Sequence, residues 1–574
     1  MRDLAMKDMG FAAFFWRLAR HSGRVYLAHS VTLVAYFSSR LVPGLIVQQV
    51  FDGLTGGAAA RFSVGTLLGL YVGWEVGRMA LNFAAEYYGR TFFYLQKALL
   101  QKNVLRGLLR RPAALPLPAP PGDALNRLDH DTGEIADFPL WLPYVAGHAL
   151  FALIAVVIML RINAVITLVV VLPLLGVILL TNAVRERLLR TYQQDREASS
   201  RVTAFLGELF GAVQAMKVAD ADAGVLAHFH ELNEARRKAG LRVRLLQDLL
   251  TWAAGNLSDL GVGVVLLLSG GAIRAGIFTI GDFSLFITYL WFIIRFPSHT
   301  GGMLADAKTQ SVSLERLLTL QDDPRAATLI EATPVYSDGR YPAIPRPPRA
   351  PADRLDVLRA RGLTYRHPGT GRGIVDVDLR LERGTLTVIT GEIGAGKSTL
   401  LRALLGLLPR DSGEIWWNDR LVTDAAAFFV PPRCAYTPQV PRLFSQSLRD
   451  NVLLGLPLGA EALDAAIYAG VLEADAPRLE QGLDTVVGPR GVKLSGGQVQ
   501  RTAAARMFVR QPELLVFDDL SSALDVETEQ ELWRRLRTGA PEATVLAVSH
   551  RPAALRLADQ VIEMKEGRGM KVKG

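Results

Sequence analysis

Hydrophobic positions are spread unevenly along the chain: residues 25–300 carry long apolar stretches, whereas residues 350–574 pattern as a soluble α/β domain. The clearest apolar stretch, VAGHALFALIAVVIML at Val145–Leu160, is followed by Arg161 and resumes as INAVITLVVVLPLLGVILL to Leu180. A spanning helix needs only ~20 apolar residues, so two spans joined by a tight turn at Arg161 and Asn163 fit this stretch better than one long helix. Weaker segments at Tyr26–Val50, Ser63–Ala84, Leu250–Gly271 and Ile277–Phe296 bring the expected number of membrane helices to six. A core bundle of a soluble protein would show polar stripes, and Ala149–Leu160 has none.

Basic residues set the expected orientation. Tyr87–Phe138 holds seven Lys or Arg and Ala183–Leu250 holds eleven, against one each near Asp52–Arg61, Arg161 and Arg274. Both termini are therefore expected in the cytoplasm. The two basic connections are too long to be bare loops, and Arg90–Arg111 and Val184–Arg244 are rich in helix formers, so the spans are expected to continue into the cytoplasm. In the first of them a proline-rich run, RRPAALPLPAPP, breaks the helix before Gly122 and Asp123 restart it. Residues 1–24, with Phe11, Phe14, Phe15 and Trp16 beside Arg17, Arg20 and Arg24, read as an interfacial helix leading into the first span. A Pro- and Arg-rich linker at 321–352 separates the six-helix membrane domain, 25–320, from a nucleotide domain at 353–574.

A chain of 574 residues exceeds what one hydrophobic core serves, which agrees with this division. The net charge of +9 lies largely in the cytoplasmic connections, so it points to anionic lipid headgroups and not to nucleic acid. A single cysteine, Cys434, excludes a disulfide framework and any multi-cysteine metal site.

The chemistry lies in the second half. Leu386–Thr390 is a short β-type run, followed by the glycine-rich GEIGAGKST at Gly391–Thr399 and then a helix, the context a phosphate-binding loop requires. Gly391, Gly394 and Gly396 let backbone N–H groups curl round the phosphates of ATP, Lys397 supplies a point charge, and Ser398 offers a hydroxyl to Mg²⁺. The buried-strand run Leu514–Phe517 ends in Asp518 and Asp519, beside that loop if the strands are parallel. Asp518 is expected to hold Mg²⁺ through water and Asp519 to face the γ-phosphate. His550, after the strand Thr544–Ser549, is a second expected γ-phosphate contact.

Taken in order, these segments resemble the ATP-binding cassette transporters, specifically the exporter-type half-transporters that place six membrane helices before one nucleotide domain. The resemblance covers roughly residues 15–570. It implies an all-α six-helix transmembrane domain followed by an α/β P-loop ATPase domain with a helical signature subdomain. It matches Tyr365 to the aromatic that stacks on adenine, Gly391–Thr399, Thr399 included, to the Walker A loop, and Gln439 to the glutamine that touches Mg²⁺. Ser495, Gly496 and Gly497 of LSGGQ match the signature that covers ATP bound to the opposite subunit. Asp518 matches the Walker B aspartate, Ser522–Asp525 the loop crossing the dimer interface, and His550 the switch histidine. Thr485–Gly491 looks like the exporter-specific loop, and Gly122–Leu128 and Ala215–Phe229 resemble the two coupling regions.

One departure stands out: Asp519 occupies the position of the family's catalytic glutamate. The missing methylene draws the carboxylate back by ~1.5 Å, so nucleotide binding is expected to survive better than hydrolysis. Such a substitution resembles the impaired half of a heterodimer, and a second half-transporter of a related kind is favoured over a homodimer as partner. The resemblance implies ATP-driven export of a lipid, hydrophobic drug or peptide from a bacterial-type inner membrane. An importer of siderophore type, or a membrane protein that ATP gates without pumping, is the alternative. Arg40, Glu75, Arg78 and Arg295, charged at membrane depth, are candidates for the substrate route, with Glu75 and Arg78 placed to neutralise each other.

Overall fold

The computed structural model describes all residues except 1–8, 57–61, 294, 323–324, 337–338, 343–348, 521, 540–541 and 574, so parts of the expected N-terminal helix and linker lie outside the described residues. It forms two compact units, the first comprising residues 1–108 and 119–340 and the second residues 109–118 and 341–574.

The first unit is helical. Its elements are α1 (Phe11–His21), α2 (Gly23–Ser38), α3 (Leu41–Thr55), α4 (Val64–Arg110), α5 (Pro121–Asn126), α6 (Thr132–Asp137), α7 (Trp141–Ile162), α8 (Ala164–Gly211), α9 (Val213–Val218), α10 (Asp222–Arg274), α11 (Ile280–Ile293), α12 (Arg295–Leu318) and α13 (Ala326–Leu329). Each of the six apolar segments lies on helix. Among the described residues, the stretches Gly23–Thr55 and Pro121–Ile162 are long and apolar enough to cross a membrane. The turn at Asn163 is built as expected: its side chain accepts from Ile166 N at 3.1 Å and starts α8 where α7 stops.

The first and last apolar segments interlock. Tyr289 of α11 lies so close to α3 that a Cβ on Gly44 would stand 2.5 Å from its ring, and its hydroxyl donates to Leu41 O at 2.6 Å. One end of α11 is pinned by Gly281 N donating to buried Asp52 at 3.2 Å and by Gln48 Nε2 donating to Asp282 at 2.6 Å. A Cβ on Gly281 would meet Gln48 O at 2.3 Å, backbone that cannot rotate away. Gly281→Val should therefore cost about 3 kcal/mol or more and lower the thermal midpoint in detergent. Gly77→Ala, where a Cβ meets nothing within 4 Å, should leave the midpoint unchanged; equal midpoints for both variants would refute this packing account.

Two expectations change. The apolar face of α1 is not turned to a membrane surface: Phe14, Phe15 and Leu18 are buried with Leu99, Leu100, Ile135 and Leu317, and Trp16 is the large side chain left exposed. The proline break also divides differently. Residues 121–131 fold into the first unit, where Arg127 donates to Asp123 at 2.6 Å and to Thr319 at 2.7 Å, and Arg316 donates to Asp123 at 2.9 Å. Leu109–Pro118 belongs to the second unit, with Ala114 N donating to Leu407 O at 2.9 Å. Prolines supply no N–H for continuing a helix, so this stretch is free to make such extended contacts.

The second unit contains β1 (Val357–Arg366), β2 (Gly373–Glu382), β3 (Leu386–Gly391), α14 (Lys397–Leu404), β4 (Ser412–Trp417), β5 (Arg420–Leu421), α15 (Ala425–Phe428), β6 (Cys434–Thr437), β7 (Gln446–Ser447), α16 (Leu448–Leu453), α17 (Ala460–Ala469), β8 (Val486–Val487), α18 (Gly496–Phe508), β9 (Leu514–Asp518), α19 (Val526–Gly539), β10 (Thr544–Val548), α20 (Pro552–Leu557), β11 (Gln560–Lys565) and β12 (Arg568–Lys573). One sheet has the order β12-β11-β3-β10-β9-β6, with β11, β3, β10, β9 and β6 parallel. A second, antiparallel sheet has the order β2-β1-β4-β5. Strands β9 and β10 are buried throughout, which explains their continuous apolar runs.

Candidate functional site

Because β10 pairs in parallel with both β3 and β9, the carboxyl ends of three strands lie side by side. The glycine loop follows β3, Asp518 and Asp519 close β9, and His550 follows β10. This is the edge of an open parallel sheet at which ligands bind.

The loop has the conformations its glycines permit. Gly391, Gly394 and Gly396 have φ of 127°, 85° and 98°, and a Cβ on Gly391 would stand 2.1 Å from Met564 O. Gly396 precedes α14, whose first residues are Lys397, Ser398 and half-buried Thr399. Lys397 Nζ donates to Gly391 O and Glu392 O, both at 2.7 Å, so its ammonium lies across the loop. Burial lowers the Lys397 pKa, and the charges of Asp519 and Asp518 oppose that shift.

Asp518 is 1% exposed and accepts from Ser398 Oγ at 2.8 Å. Its other oxygen faces Tyr436 Oη at 3.5 Å and Arg402 at 3.7 Å. Burial pushes the Asp518 carboxyl up, while Ser398 and Arg402 hold it down. A hydroxyl and one carboxylate set together form the sparse, hard oxygen set that Mg²⁺ completes with waters and phosphates, so these residues fit that cation. Gln439 Nε2 donates to Asp519 Oδ2 at 3.4 Å, and His550 Nδ1 stands 3.4 Å from Thr390 Oγ1. Asp519 has φ 55°, with its N–H donating to Val548 O at 3.2 Å and its carbonyl accepting from Ser522 Oγ at 3.2 Å.

The structure thus gathers Lys397, Ser398, Gln439, Asp518, Asp519 and His550 at one sheet edge. Ser495, Gly496 and Gly497 occupy another place, the start of α18. Ser495 caps that helix, its Oγ accepting from Gln498 N at 3.2 Å while Gln498 Oε1 accepts from Ser495 N at 2.9 Å.

Tyr365 requires correction. It is 2% exposed, inside the core between the two sheets, and offers no ring face to a base. His367, two residues on, is partly exposed, with its ring edge-on to Tyr365 at 4.9 Å. It opens the β1–β2 turn, which abuts the phosphate loop: a Cβ on Gly396 would stand 3.2 Å from Gly373 O. The signal that finds His367 is the apolar pair Leu363 and Tyr365, whose spacing of two assigns both to the core face.

The family model for the ABC transporter transmembrane region matches residues 30–297, and the ABC transporter family model matches residues 374–522. The chain belongs to the ATP-binding cassette transporters. Among known proteins, an ATP-dependent lipid A-core flippase of Chromohalobacter salexigens is 26% identical over 98% of this chain and 94% of its own length. One from Xylella fastidiosa is 26% identical over 85% of this chain and 80% of its own. A bacterial Atm1-family ABC exporter solved with ATP bound shares the fold, with a TM-score of 0.73, 20% identity, and coverage of 96% of this chain and 95% of the other. As an ATP-binding cassette protein with both domains on one chain, this transporter is an ATPase whose turnover is coupled to transport.

Proposed function

We propose that this transporter moves an amphiphilic lipid across the bacterial inner membrane, out of the cytoplasmic leaflet, as a dimer with two composite ATP sites. The observation that carries the reading is the likeness to lipid A-core flippases along nearly the whole chain, membrane domain included. The membrane unit supports it. Gly69, Gly73, Gly77, Leu70, Trp74 and Arg78 line a groove of about 710 Å³ on α4 whose walls are mostly apolar. Beside it Arg78 Nε donates to Glu75 at 3.0 Å, and Arg40 lies 4.5 Å from the Phe292 ring centroid and forms no ion pair among the described residues. Two guanidinium groups with one carboxylate leave net positive charge next to an apolar wall, which suits an anionic amphiphile.

In the nucleotide unit, Lys397 and the loop amides would hold the phosphates, Ser398, Asp518 and Gln439 would hold Mg²⁺, His550 would contact the γ-phosphate, and Asp519 would activate water. His367 takes the adenine-facing role in place of Tyr365. Ser495–Gly497 complete the partner's site. A carboxylate one methylene short at Asp519 favours a heterodimer, in which the partner supplies the faster site.

Reconstitution into liposomes holding a fluorescent phospholipid or a lipid A analogue tests the reading through ATP-dependent change in leaflet accessibility, with Lys397→Met as control. Lipid movement in wild type and none in the control is expected. ATP turnover without lipid movement would overturn the lipid assignment, and ATP-driven uptake into right-side-out vesicles would reverse the direction.

A further inference from the structure

The signature helix and the turn that follows Asp519 are joined inside one chain. Gln500, on the second turn of α18, is 4% exposed and bonds that turn through both ends of its amide: Nε2 donates to Ser522 Oγ at 2.7 Å, and Oε1 accepts from Ala523 N at 3.1 Å. Ser522 Oγ passes the connection on, donating to Asp519 O at 3.2 Å. From the opposite side Arg551, the residue after His550, donates to Leu524 O at 2.9 Å, to Ser522 O at 3.4 Å and to buried Glu529 at 3.2 Å. The turn is thereby held between α18 and the residues that follow β10.

The signature glycines belong to the same seat. A Cβ on Gly497 would stand 2.9 Å from Ala523 O and 3.3 Å from Leu524, and one on Gly496 would stand 3.3 Å from the Ala523 side chain. Gly497 therefore requires glycine within its own chain, and Gly496 sits in a tight fit there, apart from anything they offer a nucleotide on a partner. Close approach of backbone to backbone, sealed by a buried amide bonded through both its nitrogen and its oxygen, makes a rigid junction.

We propose that Gln500 is a positioning residue that fixes Ser522–Asp525, and with it the backbone of Asp519, to the start of the signature helix. The carboxylate serving this chain's own ATP and the signature serving the partner's ATP then move as one body. Occupancy at one site biases the other through that body, which couples the two sites. The proposal rests on the reading that two half-transporters share two ATP sites.

Four forms of the full-length protein in lipid nanodiscs test it: wild type, Gln500→Leu, Ser522→Ala and the double variant, assayed for turnover against ATP concentration, fluorescent-nucleotide affinity and thermal midpoint. Gln500→Leu should lower kcat by about tenfold and flatten the Hill slope, with affinity and midpoint unchanged. Ser522→Ala should lower kcat several-fold, and the double variant should be no worse than Gln500→Leu, because both remove one connection. Additive losses, or wild-type kcat in Gln500→Leu, would overturn the proposal. Parallel loss of affinity and midpoint would reduce Gln500 to a structural residue and overturn it as well. A wild-type protein that turns over as a monomer with a Hill slope of one defeats the shared-site reading instead, an outcome recorded before any variant is compared.

Discussion

Replacing Asp519 by asparagine lowers steady-state ATP turnover by about 10²-fold or more, and replacing it by glutamate raises turnover by about tenfold, with nucleotide affinity unchanged in both. The backbone at this position is fixed: φ is 55°, the N–H is spent on Val548 O and the carbonyl on Ser522. Side-chain length therefore decides how far the carboxylate reaches. One more methylene extends it by ~1.5 Å. General bases act at about 2.6–3.2 Å from the proton they take, so that extension is the difference between a loose and a working contact. Asparagine preserves shape and removes the base. Aspartate tolerates the left-handed region better than glutamate does, so Asp519→Glu gains turnover at some cost in stability. Phosphate release in nanodiscs reads turnover and a fluorescent nucleotide reads affinity. Full turnover in Asp519→Asn would remove the carboxylate from the chemistry. High wild-type turnover left unchanged by glutamate would show a homodimer in which aspartate suffices.

Lys397→Met abolishes turnover and weakens ATP binding by about 10- to 100-fold, the loss expected for a charge-assisted hydrogen bond. The ammonium now crosses the loop to Gly391 O and Glu392 O, within reach of any phosphate the loop encloses. Methionine keeps most of the stem's volume, so the loop, fixed by the backbone angles of Gly391, Gly394 and Gly396, should keep its shape. Ser398→Ala should instead raise the Mg²⁺ concentration needed for half-maximal turnover, since it deletes one oxygen beside Asp518. Tight ATP binding by Lys397→Met, measured by fluorescence titration, would sink the loop assignment.

Much of this transporter was legible in its sequence because the deciding constraints are local. A phosphate loop needs glycines at fixed offsets, a membrane span needs an uninterrupted apolar run, and a buried parallel strand needs apolar residues on both faces, so Gly391–Thr399, Val145–Leu160 and Leu514–Phe517 announce themselves. The turn at Asn163 was readable for the same reason, since a capping side chain bonds within its own segment. What the sequence left open depends on contacts between distant residues. Tyr365 illustrates this: β1 changes register near Gly362, φ 63°, so the alternation running from Leu358 and Ala360 shifts by one residue and turns Tyr365 into the core. A period of two counted forward from Leu358 does not reveal such a bulge, and only the apolar pair Leu363 and Tyr365 beyond it marks where the alternation restarts. The apolar face of α1 was equally ambiguous, because lipid and protein interior reward the same residues, and only Phe138 and the helices around it decided between them. The seat of Ser522 on Gln500 joins residues 22 apart, one on the helix before β9 and one on the turn after it. Sequence by itself determined the chemistry of each segment, which covalent spacing encodes; tertiary structure decided which faces are buried and which segments pack together, because those follow from packing between parts of the chain that composition does not connect.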